Sequence, residues 1–140
     1  MVRFISGSKG TGKTKVIIDM ANDNVETAKG DIVFLTDTDR YMYSLRYQVR
    51  VVNATQLKKS DVISEESLIG FIRGLLAGNH DIETLYIDGA HRMLKKTVHE
   101  MEDFFKDLRE IAKDTQTQFV LTVSEDEANF PEFLKDFGAK

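Results

Sequence analysis

Five short apolar runs are spaced along the chain, and each is long enough to form one β-strand. They cover residues 2–5, 31–36, 48–53, 84–88 and 118–124. The run at 31–36 is almost continuously apolar, which is typical of a strand that is covered on both faces. The pattern therefore predicts a five-stranded protein with at least one strand in the interior of a sheet.

Between the strands, apolar residues recur every three or four positions, which is the spacing of one face of an α-helix. This spacing predicts helices over residues 13–28, 64–78 and 94–113, with a short helix near the end of the chain. Ser64 supplies a typical N-cap for the second helix. The alternation of strands and helices predicts an α/β fold, which we expect to form one domain over residues 1–140.

Two stretches do not show a regular period. Residues 54–63 are predicted to form an irregular connection. Residues 41–47 contain three tyrosines, and two interpretations are open: a short helix under the sheet, or a loop that faces a substrate. Tyrosine suits both positions because it is amphipathic.

The turn between the first strand and the first helix contains a complete phosphate-binding motif. Residues 7–14 read Gly-Ser-Lys-Gly-Thr-Gly-Lys-Thr, a full match to G-x-x-x-x-G-K-[ST] in the required strand–loop–helix setting. Glycine allows the backbone N–H groups to point inward at a phosphate, and the following helix directs its own N–H groups and positive dipole end at the same anion. The residues predicted to bind a nucleotide are Gly7, Ser8, Lys9, Gly10, Thr11, Gly12, Lys13, Thr14 and Lys15.

Two of the polar side chains are predicted to hold Mg²⁺. The Thr14 hydroxyl would join the shell of a magnesium ion that keeps most of its waters, beside the phosphates that Lys13 reaches. Asp88 ends the fourth strand, where an aspartate holds the metal of a phosphate-binding site. Many buried strands end in aspartate, so a helix cap or a turn is the alternative for Asp88.

Composition narrows the possible functions. The 41% hydrophobic and 30% charged residues are those of an ordinary soluble globular protein. A net charge of -4 gives no global basic field, so charge does not imply nucleic acid as a partner, although a local patch remains possible. The chain has no cysteine, which excludes disulfides and thiol catalysis, and its three scattered histidines form no metal-binding pattern.

The sequence predicts no membrane span. The longest apolar stretch, residues 68–78, is too short to cross a bilayer and contains Arg73. A strand that begins at residue 2 leaves no room for a signal peptide. We therefore expect a cytoplasmic protein.

The order of strand, phosphate-binding loop, helix, further βα units and a strand-end aspartate resembles the P-loop NTPase family over nearly the whole chain. This resemblance implies a three-layer α/β/α fold with a mainly parallel five-stranded sheet. The guanine-binding branch of the family carries an N-K-x-D element, which this sequence lacks. The resemblance therefore implies ATP with Mg²⁺, and the RecA-like ATPase branch.

RecA-like ATPases usually carry a glutamate directly after the metal-binding aspartate, where it activates water, but position 89 is glycine here. This implies hydrolysis that is slow or depends on a partner. Asp37 and Asp39, after the second strand, are candidate catalytic carboxylates, with turn formation as their alternative role. His91 is a further candidate, because Asp88-Gly89-Ala90-His91 is similar to the D-E-A-H box of helicase-type ATPases; a helix cap or surface position is its alternative.

Two hydroxyls in the fifth run are candidate sensor residues. In RecA-like ATPases, a strand with a polar tip lies between the P-loop strand and the aspartate strand and often reads the γ-phosphate. Residues 118–124, with Thr122 and Ser124, resemble this strand. A hydroxyl on a β-strand is also commonly structural, and both readings stay open.

Three functions are compatible with these features. The first is a small ATPase that acts slowly or with a protein partner or a second copy of the chain, which could supply Arg40, Arg46 or Arg92 in trans. The second is a phosphotransferase, because residues 37–41 and the aspartate strand are partly similar to thymidine kinases, although the adjacent glutamate and the zinc-binding cysteines of that family are missing. The third is a nucleotide-gated binding module without turnover.

Overall fold

The computed structural model describes residues 1–57, 63–135 and 137. Five strands form one sheet in the order β1-β5-β4-β2-β3, and every pairing of neighbours is parallel. The strands are β1 Val2–Gly7, β2 Asp31–Thr36, β3 Val49–Asn53, β4 Ile82–Ile87 and β5 Gln118–Ser124. The predicted five-stranded parallel sheet is therefore confirmed.

Helices cover both faces of this sheet. They are α1 Lys13–Asn24, α2 Glu65–Gly78, α3 Ala90–Leu94, α4 Glu102–Thr115 and α5 Glu132–Lys135. Because side chains alternate along a strand, Ile32 and Phe34 of β2 pack with α1, whereas Val33 and Leu35 pack in the core that includes α2 and α4. The result is the expected three-layer α/β/α arrangement. Among the described residues, no helix is both long and apolar enough to cross a bilayer.

The first helix is shorter than predicted. It ends at Asn24 rather than near residue 28. The side chain of Asn24 donates a hydrogen bond to the hydroxyl of Tyr86, at 3.0 Å, and the following residues form turns. Asparagine favours helix ends and turns over helix interiors, so the chain leaves the helix here and enters β2.

The predicted continuous helix over residues 94–113 is wrong. The structure has the short helix α3, then a 3₁₀ turn at Val98–Glu100, then α4. Lys95 ends α3 in the left-handed conformation, with φ of 53°. Thr97 and Glu100 then form a reciprocal capping box, which starts a new turn instead of continuing the old helix.

The two stretches without a regular period form short 3₁₀ turns. Met42–Ser44 is a 3₁₀ turn on the surface, not a helix buried under the sheet. Ala54–Leu57 is a second one, and residues 58–62 of the predicted irregular connection lie outside the described residues.

The strand order decides which polar residues meet. β5 lies between β1, which leads into the phosphate-binding motif, and β4, which ends before Asp88. This is the position that the resemblance to RecA-like ATPases implies for the strand with the polar tip. Because all five strands are parallel, their carboxyl ends share one edge, where open α/β sheets bind ligands.

Candidate phosphate-binding site

The loop between β1 and α1 has the backbone conformation that a phosphate-binding motif needs. Gly10 and Gly12 both have φ of 84°, and Gly12 is the N-cap of α1. A Cβ at Gly7 would lie 2.5 Å from the Thr11 hydroxyl, so only glycine fits there. The Thr11 hydroxyl donates to the Ser8 carbonyl, at 2.8 Å, and this bond closes the loop.

The two lysines that flank the loop differ in orientation. The Lys13 ammonium donates to the Ser8 carbonyl, at 2.9 Å, and so lies across the loop. Burial lowers the pKa of Lys13, and the neighbouring Arg92 also lowers it, while Asp88 acts in the opposite direction. The Lys15 ammonium instead pairs with Asp19, at 2.8 Å, on the exposed side of α1. Of the two side chains, only that of Lys13 is directed at the loop.

Asp88 is the centre of the site. It follows β4, and its side chain is 1% exposed. The Thr14 hydroxyl lies 3.2 Å from one carboxylate oxygen of Asp88, although the two residues are 74 positions apart. The fold therefore brings the two predicted magnesium-binding side chains into contact.

Thr122 of β5 fixes the orientation of Asp88. Its buried hydroxyl donates to a carboxylate oxygen of Asp88, at 2.9 Å, and accepts a bond from the backbone N–H of Gly89, at 3.0 Å. Ser124 lies two residues farther along β5 and lines the same cleft. Thr122 thus has a structural contact at the site, whereas no such bond holds the Ser124 side chain among the described residues.

Glycine at position 89 is required by the local geometry. Gly89 has φ of +90°, a conformation that side chains with a Cβ rarely adopt. A Cβ there would also overlap the guanidinium group of Arg92. The place where a RecA-like ATPase has its glutamate is therefore filled by an arginine from the next helix.

Arg92 joins two carboxylates at the edge of the sheet. Its Nε and Nη2 donate to the two oxygens of Asp37, at 3.2 and 3.1 Å, and Nη2 lies 3.6 Å from Asp88. Burial works against the charge of Arg92, but the hydrogen bonds and charges of Asp37 and Asp88 outweigh it, so its pKa is raised. From the sequence, Arg92 is expected only as an arginine that another copy of the chain supplies. Its position four residues after Asp88, at the start of a helix, was the available signal.

The other candidate bases occupy different environments. Asp39 is exposed, accepts a bond from the Asn53 side chain, at 3.0 Å, and is not among the residues that line the cleft. His91 lines the cleft, and its Nδ1 is buried with no hydrogen-bond partner among the described residues. Burial lowers the pKa of His91, and the charges of Arg92 and Lys13 lower it further.

These groups surround one cleft of about 330 Å³, which lies at the lower end of the usual range for ligand pockets. The lining residues are Lys9, Gly10, Gly12, Lys13, Thr14, Asp88, His91, Arg92, Thr122 and Ser124. The cleft has cations on one side and a hydroxyl–carboxylate pair at its base. Such a set can bind a polyphosphate together with a divalent cation.

Comparison with known protein families gives one match. The family described as AAA domain matches residues 2–129, which include all five strands and the whole cleft. No curated protein matches the chain significantly.

Replacing Thr122 by valine is expected to destabilise the protein by about 1–3 kcal/mol, because the buried Gly89 N–H and the Asp88 carboxylate both lose a partner. Urea unfolding of the two proteins measures the difference. Thr122→Ser keeps the hydroxyl and should recover most of the loss. If the valine variant were as stable as the wild type, these two hydrogen bonds would make no net contribution to the free energy of unfolding.

His91 should make the protein less stable as the pH falls. Its folded pKa is lowered, so below the ordinary histidine pKa of about 6.5 the unfolded chain binds a proton that the folded chain does not. The contribution of neutral His91 to the free energy of unfolding is fully present above that pH, and it is lost as the pH decreases toward the folded pKa of His91. Urea unfolding of wild type and His91→Gln at a series of pH values tests this: their stability difference should shift against the wild type below about pH 6.5. A constant difference would contradict it.

Proposed function

Since the chain belongs to the AAA domain family of P-loop NTPases, we propose that it binds ATP with Mg²⁺ and hydrolyses the β-γ phosphate bond slowly or with a partner. The observation that carries this proposal is the meeting of Lys13, Thr14 and Asp88 in one cleft. Adenine is proposed because the sequence lacks the N-K-x-D element of guanine-binding relatives.

In this proposal the loop and α1 bind the phosphates. Gly10 and Gly12 allow the backbone amides to turn toward an anion, and the N-terminus of α1 adds its dipole. The Lys13 ammonium leaves the Ser8 carbonyl and pairs with the phosphate chain. A phosphate would favour the charged form of Lys13, which offsets the burial that lowers its pKa.

Thr14 and Asp88 are the residues that would hold Mg²⁺. No group of three or more His, Cys, Asp or Glu side chains is arranged to hold a metal in the described part of the chain. Magnesium does not need such a group, because it is usually bound by one or two carboxylates, waters and the substrate phosphates. A hydroxyl and a buried carboxylate within 3.2 Å of each other fit this mode of binding. When bound, the ion would offset charge on the phosphates.

The contacts of Arg92 support slow turnover. A water that attacks the γ-phosphate needs a group that accepts its proton, and position 89 cannot supply one. Of the two candidate carboxylates, Asp37 is the one that contacts a residue of the cleft, but both of its oxygens bind Arg92. We therefore assign Asp37 as the base and expect it to act only when Arg92 releases it.

A nucleotide-gated module without turnover is the second candidate. The glycine at position 89, with the arginine packed over it, favours this function because nothing in that place can activate water. Phosphate release separates the candidates. Release from ATP alone supports the ATPase, release only as transfer to an added nucleoside supports a kinase, and saturable binding without turnover supports the module.

Lys13→Ala is expected to weaken ATP binding at least 100-fold, because the charge-assisted bond to the phosphates is lost. Isothermal titration of wild type and variant with ATP, in Mg²⁺ and again in a chelator, measures both the affinity and its dependence on the metal. Lys29→Ala removes one exposed ammonium outside the cleft and is the matched control. Wild-type protein that shows no saturation at millimolar ATP would overturn the proposal.

Arg92→Ala should increase phosphate release, toward the roughly 100-fold that a positioned general base contributes. The reason is that Asp37 would lose the cation that occupies both of its oxygens. Adding Asp37→Asn should remove the gain. Lys106→Ala, on the exposed face of α4, controls for loss of a positive charge. Slower release in Arg92→Ala would instead mean that the arginine assists the reaction.

A further inference from the structure

One buried hydroxyl at the carboxyl edge of the sheet has no partner. Thr36 is the last residue of β2, and it is 0% exposed. Its Oγ1 forms no hydrogen bond with any residue that the structure describes. A hydroxyl that leaves water without gaining another partner destabilises the folded chain, so such groups are uncommon in protein interiors.

The other buried threonines differ from Thr36 in this respect. Within the described residues they are Thr84, Thr117 and Thr122. The hydroxyls of Thr84 and Thr117 each take part in a hydrogen bond within the chain, and that of Thr122 takes part in two. Burial of a threonine in this sheet is therefore normally accompanied by a bond from the protein.

The side chain of Thr36 lies on the face of the sheet that α1 covers. Ile32 and Phe34 of β2 pack with α1, whereas Val33 and Leu35 pack on the opposite face. Because side chains alternate along a strand, Thr36 shares the face of Ile32 and Phe34. The hydroxyl is therefore on the side of the sheet from which the phosphate-binding loop and α1 contact Asp88.

Thr36 and Asp88 are neighbours across two strands. Leu35 pairs with Ile87 in the parallel ladder of β2 and β4, and the N–H of Asp88 donates to the Leu35 carbonyl, at 2.9 Å. Thr36 and Asp88 occupy the next positions, and neighbouring strands lie about 4.8 Å apart in a sheet. Asp88 is on the α1 face too, because it contacts Thr14. The hydroxyl and the carboxylate are thus close enough to share a ligand.

The row of Thr36, Asp88 and Thr122 runs across β2, β4 and β5. Thr122 donates to one carboxylate oxygen of Asp88, at 2.9 Å, and Thr14 lies 3.2 Å from the other. Of the three hydroxyls around this carboxylate, that of Thr36 alone has no bond to a described residue. A ligand of the site, rather than a side chain, is therefore the partner that fits it.

We propose that Thr36 belongs to the magnesium site that Thr14 and Asp88 would form, and that its hydroxyl accepts a hydrogen bond from a water molecule that the ion holds. Magnesium usually keeps several of its waters, and a threonine hydroxyl can accept as well as donate. An ion bound by Thr14 and Asp88 brings such waters to the face of the sheet on which Thr36 lies. Thr36 is thus a positioning residue, and its role rests on the proposed function.

Unfolding in urea, without nucleotide, tests whether the hydroxyl is unpaired. Because it has no bond to lose, Thr36→Val should keep or raise the midpoint of the wild type. Thr122→Val is the matched comparison, since the same substitution removes two bonds and should lower the midpoint. A decrease in Thr36→Val as large as that in Thr122→Val would mean that the chain itself bonds the hydroxyl, and the inference would be wrong.

Isothermal titration with ATP, in Mg²⁺ and in a chelator, tests the role at the metal. Thr36→Val should lose about tenfold of the affinity that Mg²⁺ adds, the loss typical when a group that supports a metal site is removed. Its affinity in the chelator should equal that of the wild type. Thr36→Ser keeps the hydroxyl and should retain the dependence on Mg²⁺. Thr117→Val, a buried threonine at the opposite edge of the sheet, should leave both affinities unchanged.

Two titration results would overturn the inference and leave the proposed function intact. The first is a full dependence on Mg²⁺ in Thr36→Val. The second is an equal loss of affinity in Mg²⁺ and in the chelator, which would place the hydroxyl against the nucleotide instead of the metal. Wild-type protein without saturable ATP binding, by contrast, would remove the proposed function first, and the inference with it.

Discussion

The arrangement of the site depends on the groups that stabilise the charge of one buried carboxylate, that of Asp88. Asp88 is almost completely removed from water, and an unpaired charge there would cost several kcal/mol. Three separate elements supply partners: Thr14 from the start of α1, Thr122 from β5 and Arg92 from α3. The carboxylate therefore holds the phosphate-binding loop, the central strand and the helix after β4 in a fixed relation. Any cation that enters the cleft has to compete with, or rearrange, these contacts.

Arg92 connects this arrangement to the proposed hydrolysis. It satisfies Asp37 and approaches Asp88, and its guanidinium group fills the space that a side chain at position 89 would need. The glycine at position 89 therefore leaves the space that the Arg92 guanidinium group occupies. In this arrangement the arginine stabilises the charges of Asp37 and Asp88, but it also occupies the oxygens of Asp37, which could otherwise accept a proton. This packing is the basis of the proposal that the chain binds nucleotide more readily than it hydrolyses it.

Helix α1 joins the phosphate-binding loop to the 3₁₀ turn at Met42–Ser44. Its first residue, Lys13, belongs to the loop, while the side chain of Asn22, near its other end, donates to the Ser44 carbonyl and accepts from the Arg46 N–H. One helix therefore contacts both the cleft and the connection between β2 and β3.

The sequence by itself determined the phosphate-binding loop, the five strands and the α/β class, because each is encoded in contiguous residues: a motif, an apolar run or a helical spacing. Only the tertiary structure decided which strand-end side chains meet. Asp37 pairs with Arg92, which lines the cleft, whereas Asp39 bonds to Asn53, because these contacts depend on strand order and on the direction in which each residue leaves the sheet. The break between α3 and α4 also escaped the apolar pattern, since Val98 and Met101 are buried as a helix would bury them while the Thr97–Glu100 capping box changes the path of the backbone. Local spacing records which side chains are buried, whereas the partners of a buried charge are set by residues far away in the chain.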